Sequence, residues 1–378
     1  MDSYFRQLSS YPLKERTQPL FSSEWFEQLK SRGLIPRPED ELDWSGNGQH
    51  VEYTAITEKE IPLVFEKTLG SSATAVVDSV RCRRIRLARK KIRCRRPLSR
   101  LDYLAEVEHL QRLQHAHVVR VVGTYTWKKD LGILLYPAAP WNLDEFMDEL
   151  MDEDSMINTD ALIMDEQQEH SGIHALRTFF GCLARALAFI HHKNVKHMDI
   201  KPKNILVRPL SNPKGEYKVY IADFGIARAY KSAQDAETNS PTSFTRTYAA
   251  PEVASQDTRG FSADMFSLGC VFLEMMATLV SKGRHNERQR LAHMRTVSSR
   301  DSSYQANLDT VEAWFDGIVG DDEKRQLLSE DLLSLLPKMI EHEPQKRPSA
   351  AELDQAFEEL RCGFCDDGPE PFEAASEL

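Results

Sequence analysis

The residues best suited to do chemistry sit near the middle of the chain. His197-Met198-Asp199-Ile200-Lys201-Pro202-Lys203-Asn204 sets a carboxylate, an ammonium and a carboxamide a few residues apart, and Asp223-Phe224-Gly225 follows after a short apolar run. A carboxylate can orient an attacking hydroxyl or take its proton, and an ammonium can neutralise phosphate oxygens. An amide oxygen and a second carboxylate are hard oxygen ligands of the kind magnesium prefers. Asp199, Lys201, Asn204 and Asp223 together supply what phosphoryl transfer from Mg-ATP requires.

Further motifs follow in order. Thr245-Arg246-Thr247-Tyr248-Ala249-Ala250-Pro251-Glu252 precedes Ser262-Ala263-Asp264-Met265-Phe266-Ser267-Leu268-Gly269, and Arg347 lies in Pro344-Gln345-Lys346-Arg347-Pro348. With the catalytic segment, these resemble the eukaryotic protein kinase superfamily, serine/threonine type, whose catalytic loop reads H-R-D-x-K-x-x-N and whose metal loop reads D-F-G. The resemblance covers about residues 62–360. It implies an α+β fold of two lobes: a small antiparallel-sheet N-lobe with one main helix, then a larger, mainly helical C-lobe. It also implies ATP and Mg2+ as cofactors and a protein as substrate. Asp199 becomes the catalytic or substrate-orienting carboxylate and Lys201 the γ-phosphate partner, with Asn204 and Asp223 as metal ligands. Glu252 and Arg347 become a structural ion pair, since a buried carboxylate needs a cation beside it.

Upstream the likeness is looser. Leu69-Gly70-Ser71-Ser72-Ala73-Thr74-Ala75-Val76-Val77 stands where a G-x-G-x-x-G-x-V loop should cover the nucleotide, but Ser72 and Ala75 replace the later glycines. Small residues still let backbone approach phosphate, less freely than glycine does. Leu87-Ala88-Arg89-Lys90-Lys91-Ile92 resembles V-A-I-K-x-I and assigns Lys90 to the α- and β-phosphates, with Lys91 as competitor. Its ion-pair partner on the next helix is Glu106, with Glu108 as competitor on another face. The resemblance further implies nucleotide contacts from Gly70, Ser72, Val77, Ala88, Leu135, Tyr136 and Ala138, and an apolar column through Leu110, His197 and Phe224.

Met198 stands where the family usually has arginine, and that arginine pairs with a phosphate on the activation segment. Control by phosphorylation of Thr238, Ser240, Thr242, Ser243 or Thr247 is correspondingly less expected. Lys201 and Thr245 favour serine or threonine as acceptor. A pseudokinase scaffold and a small-molecule phosphotransferase of related fold are the alternatives; the second lacks the A-P-E segment and its arginine, both present here.

The elements that must carry these residues are legible in the apolar spacing. Pro62 to Ile92 reads as strands, Leu101–Gln114 as a helix, and Val118–Tyr125 and Leu131–Tyr136 as further strands. Ala175–His192 has a broad apolar stripe, and Ala263–Leu279 is apolar almost all round, as a buried central helix would be. Residues 1–61 read as an extension, partly helical or disordered, with a helix-like patch at Ser22–Ser31. The N-lobe spans about 62–136, the hinge 136–142 and the C-lobe 143–360. An acidic insertion at about 151–170 and a polar loop at Ser281–Asn307 read as surface decoration, and 361–378 as an acidic tail.

An apolar fraction of 41% with 28% charged residues fits a globular protein. The net charge of −10 argues against nucleic acid as main partner. No run approaches the roughly 20 uninterrupted apolar residues of a membrane span. With Met1–Ser10 lacking a signal core and six scattered cysteines, the expectation is an intracellular protein, cytoplasmic or nuclear. The basic run Arg81–Arg96 reads as a solvated hairpin with Ile85, Leu87 and Ile92 turned inward. Cys362-Gly363-Phe364-Cys365 has redox-motif spacing but follows a helix rather than opening one, and two thiols make only half a tetrahedral zinc site. A flexible tail is expected there.

Overall fold

The computed structural model describes residues 24–37, 40–54, 57–71, 75–94, 99–151, 166–211, 215–225, 228–229, 245–257, 260–281, 286–369 and 372. Ser72, most of the acidic insertion, and Thr238, Ser240, Thr242 and Ser243 lie outside these residues. The chain divides into two compact units, one of residues 1–140 with 368–378 and one of residues 141–367.

The first unit is built on a six-stranded sheet in the order β1-β5-β6-β4-β3-β2. Its strands are β1 (His50–Tyr53), β2 (Val64–Ser71), β3 (Ala75–Cys82), β4 (Ile85–Arg93), β5 (Arg120–Trp127) and β6 (Asp130–Tyr136). Helices α1 (Glu24–Ser31) and α2 (Ser99–Arg112) belong to the same unit. β3 and β4 form the basic hairpin, with Ile85 and Leu87 buried on one face of it and Ile92 buried on the other. Its arginines are not all solvated: Arg89 is buried and pairs with Asp78 at 2.9 Å, so inward alternation put one cation under the sheet with a carboxylate to meet it.

Both ends of the chain contribute to this unit. The N-terminal extension is more than a helix, because β1 joins the sheet parallel to β5 and makes it mixed. Trp44 is fully buried in the core of this unit, its Nε1–H donating to Gln49 O at 2.8 Å. Gly123 on β5 allows that approach: a Cβ there would stand 2.3 Å from Gln49 O and 2.4 Å from the Trp44 indole nitrogen. At the other end, Phe372 returns to this unit, its ring 5.0 Å from that of Tyr136 and 3.7 Å from the Arg120 guanidinium. Phe372→Ala is expected to lower the unit's stability by about 1–2 kcal/mol through lost ring burial and cation–π contact, read by urea denaturation.

The second unit is mainly helical: α3 (Leu143–Glu149), α4 (Glu166–His192), α5 (Ser262–Leu279), α6 (Glu287–Ser298), α7 (Leu308–Val319), α8 (Glu330–Met339) and α9 (Ala350–Ala356). Every residue of α5 from Ala263 to Leu279 is buried, as its apolar character all round demands. By length and composition Gly172–His192 and Ser262–Leu279 could each cross a membrane, and most of each is buried within the protein. The polar stretch Ser281–Asn307 is not all loop. Asn286 caps α6 by accepting from the Gln289 amide, and Leu291 supplies a buried anchor. Small strands β7 (Trp141–Asn142), β9 (Ile205–Pro209) and β10 (Tyr217–Ile221) form a three-stranded sheet, and β8 (Val195–Lys196) leads into the segment His197 to Asn204.

Candidate active site

The segment after β8 turns through an unusual backbone. Met198 has φ +69°, a left-handed conformation that costs a residue with a Cβ about 1–3 kcal/mol. Asp264 on α5 holds it there. This carboxylate, 1% exposed, accepts from the amides of His197 and Met198, both at 2.8 Å, and from His191 Nε2 at 3.0 Å. Burial alone would raise its pKa, but the His191 hydrogen bond and charge, with the amide bonds, outweigh that and hold it below the ordinary carboxylate range. His197 locks the other side: Nε2 meets Ala222 O at 3.0 Å and Nδ1 accepts from the Asp199 amide at 3.3 Å. These partners assign the proton to Nε2. The His197 ring also stands edge-on to Phe224, centroids 4.7 Å apart.

On this frame Asp199, Lys201, Asn204 and Thr245 form a closed set. Lys201 Nζ donates to Asp199 Oδ2 at 2.6 Å and to Thr245 Oγ1 at 2.8 Å, while Thr245 Oγ1–H donates to Asp199 Oδ1 at 2.6 Å. Asn204 Nδ2 donates to Asp199 O at 2.8 Å and Oδ2 at 2.9 Å. Both carboxylate oxygens are thus fixed by charge-assisted or hydroxyl bonds, the stronger kind. A 3-10 turn, Pro202–Asn204, with proline at its first position ends the loop and starts β9.

With its Nδ2 committed to Asp199, Asn204 has Oδ1 as its remaining ligand atom. Ala222 N donates to Asn204 O at 2.9 Å, which brings the end of β10 beside it. The next residue, Asp223, is exposed at φ +63°. One carboxamide oxygen and one exposed carboxylate are a donor set that fits Mg2+ with its retained waters.

In the first unit, Lys90 Nζ lies 2.8 and 3.0 Å from the two oxygens of Glu106, a residue 2% exposed. The competitors are engaged elsewhere: Lys91 pairs with Glu58 at 3.0 Å, and Glu108 with Arg32 at 3.2 Å and Arg112 at 2.6 Å. Strand register puts Val77 opposite Lys90 and Ala88 opposite Leu135. Because side chains alternate along a strand, these four share one face of the sheet. Val77 and Leu135 are half-buried there, as apolar residues lining an open surface would be, and so is Ala138 beyond β6. Tyr136 is buried. Gly70 pairs with Val77, and a Cβ on it would meet only open space.

The ion pair Glu252–Arg347 is bidentate, at 2.7 and 2.9 Å. Glu274 on α5 escaped sequence reading. It is buried and accepts from the hydroxyls of Tyr248 at 3.0 Å and Tyr304 at 2.9 Å, anchoring the segment that carries Thr245. Burial raises its pKa. No local motif announces a glutamate inside an apolar helix as an anchor for distant tyrosines.

A two-unit α+β fold carrying this loop, its clamp and the Lys90–Glu106 pair is that of a protein kinase domain. The chain matches the protein kinase domain family over residues 63–357 and belongs to it. It is 27% identical over 256 residues to cyclin-dependent kinase D-1 of Arabidopsis thaliana, covering 65% of this chain and 57% of that protein. It is 29% identical over 214 residues to the probable serine/threonine-protein kinase KIN28 homolog of Encephalitozoon cuniculi, covering 56% and 58%. To the serine/threonine-protein kinase ULK3 of Homo sapiens it is 26% identical over 251 residues, covering 66% and 43%. The chain therefore spans about half the length of these curated relatives.

Proposed function

We propose that this chain is an active serine/threonine protein kinase that moves the γ-phosphoryl group of Mg-ATP to a protein hydroxyl. The observation that carries the reading is the closed arrangement of Asp199 with Lys201, Asn204 and Thr245. Asp199, oriented through both oxygens, positions the acceptor hydroxyl and takes its proton as the new O–P bond forms and the bond from the γ-phosphorus to the bridging oxygen breaks. Lys201 meets the charge on the γ-phosphoryl oxygens, and Lys90, held by Glu106, meets the α- and β-phosphates. ADP leaves with the bridging oxygen. Asn204 and Asp223 would hold magnesium, which supplies charge neutralisation on the β- and γ-oxygens. Val77, Ala88 and Leu135 offer an apolar face for adenine, with Tyr136 and Ala138 meeting it through their backbone. Thr245 favours serine or threonine by tying the segment that receives the acceptor to Asp199 itself.

The test is transfer from γ-labelled ATP to generic protein substrates and to the chain itself, with Asp223→Asn as control. Labelling of protein above the control supports the reading. Activity equal to the control at saturating magnesium overturns it in favour of a scaffold, the reading that the loop at 69–77, with Gly70 its single glycine, supports.

Two substitutions probe the assignments. Thr245→Val is expected to lower kcat by about 10–100-fold at unchanged KM for ATP, the value of one hydrogen bond to a charged group. Lys90→Met should lower kcat/KM far more than Lys91→Met, whose ammonium pairs with a partly exposed glutamate. Equal losses would reassign the phosphate-binding lysine.

A further inference from the structure

Three thiols meet in the second unit, outside the catalytic set. Cys182 lies on α4, and Cys362 and Cys365 lie in the turn after Glu358–Leu360. Cys365 Sγ is 3.6 Å from Cys182 Sγ and 3.7 Å from Cys362 Sγ, and the Cys362 amide donates to Cys182 Sγ at 3.3 Å. Cys182 is 1% and Cys365 4% exposed, Cys362 is half-buried, and none of the three is in a disulfide. The expected flexible tail is instead a packed turn.

The geometry suits a metal. With zinc–sulfur bonds of about 2.3 Å in a tetrahedron, neighbouring sulfurs stand about 3.8 Å apart. Two edges of the trio already have nearly that spacing. The Cys362-Gly363-Phe364-Cys365 pair supplies the short-spaced half of a thiolate zinc site, and Cys182 the residue that local sequence cannot provide. An amide N–H directed at a ligand sulfur is the outer contact that orients and tunes such sulfurs.

Two further features are built around the trio. Gly181 lets the C-terminal turn reach α4, since a Cβ there would lie 2.5 Å from Phe357 O and 2.7 Å from Leu360 O. Three thiolates on a divalent ion leave one net negative charge. Lys218 on β10, 4% exposed, stands with Nζ 5.5 Å from the ring of Phe364, the residue preceding Cys365, and supplies a nearby cation.

We infer that Cys182, Cys362 and Cys365 are ligands of a structural Zn2+ that fastens the C-terminal turn to α4, with the fourth corner taken by a ligand outside the trio. Each thiol passes its proton to water as its Zn–S bond forms, and no oxidation state changes. The clasp joins positions 180 residues apart, beside the Arg185 bridges to Asp354 at 3.0 Å and Asp366 at 2.9 Å.

The experiment uses the full chain purified under a non-chelating reductant, with zinc measured by plasma mass spectrometry and then exchanged for Co2+. The expected result is about one zinc per chain and, with cobalt, sulfur-to-metal charge-transfer absorption with the ligand-field bands of a tetrahedral ion. Cys362→Ser, at the most exposed ligand, should keep the fold by circular dichroism and lower zinc affinity at least about tenfold. Cys94→Ser, in the other unit, should keep zinc in full. Chelation should lower Tm by about 4 °C or more. Wild-type protein without zinc and without cobalt charge transfer would overturn the inference, as would full zinc retention in a folded Cys362→Ser/Cys365→Ser variant. The wild-type cobalt spectrum decides even where a variant fails to fold.

Discussion

Asp199→Asn is expected to reduce phosphoryl transfer by about 10²–10⁴-fold, the usual contribution of a positioned acid–base group. The two side chains have nearly the same volume, so the loop should keep its shape under the clamp of Asp264. What changes is charge. Lys201 would lose the carboxylate at 2.6 Å and Thr245 its ionised acceptor, and the acceptor hydroxyl would lose the group that takes its proton. Nucleotide affinity should hold, because Lys90, Asn204 and Asp223 carry it in the proposed reading. Steady-state transfer together with direct nucleotide binding separates these effects. A variant that loses ATP binding as sharply as turnover would show that Asp199 shapes the nucleotide site instead.

Arg347→Ala is expected to be the most damaging single change to stability, by about 3–5 kcal/mol. The arginine side chain is fully buried, and it donates to both oxygens of Glu252 and to the carbonyls of Glu341, Ser262 and His342. Truncation strands a carboxylate that is itself buried and leaves three carbonyls short of a donor. Glu252→Gln with Arg347→Met should cost less than Arg347→Ala alone, because it removes both charges while filling the space. Urea denaturation of the three proteins tests this. A double variant less stable than the single one would mean that the pair stabilises the fold through its charges.

Where sequence reading succeeded, the chemistry was local in the chain. Asp199, Lys201 and Asn204 fall within one short loop, and the central helix declares itself by being apolar almost all round. Lys90 and Lys91 were harder to separate, because neighbours on a strand differ only in the face they take. Pairing in the sheet set that face, giving Lys90 to Glu106 and Lys91 to Glu58. Ser281–Asn307 resembles a loop because its polar residues hide α6, whose buried face sets the charged Glu287 and Arg295 on either side of Leu291.

The sequence by itself determined the family, the two-part α+β plan and the residues that the proposed phosphoryl transfer would use, since each is encoded in short motifs and apolar periodicity. Only the tertiary structure decided which distant residues meet where no motif names the pair. Asp264 holds the backbone of a loop more than sixty residues earlier, Glu274 collects two tyrosine hydroxyls, an N-terminal strand completes a sheet, and Cys182 meets a pair of cysteines near the C-terminus. Burial is the physical reason. A carboxylate, an edge strand or a thiol acquires its partner only when folding removes water from it, and the partner's place in the chain leaves no trace in the local pattern.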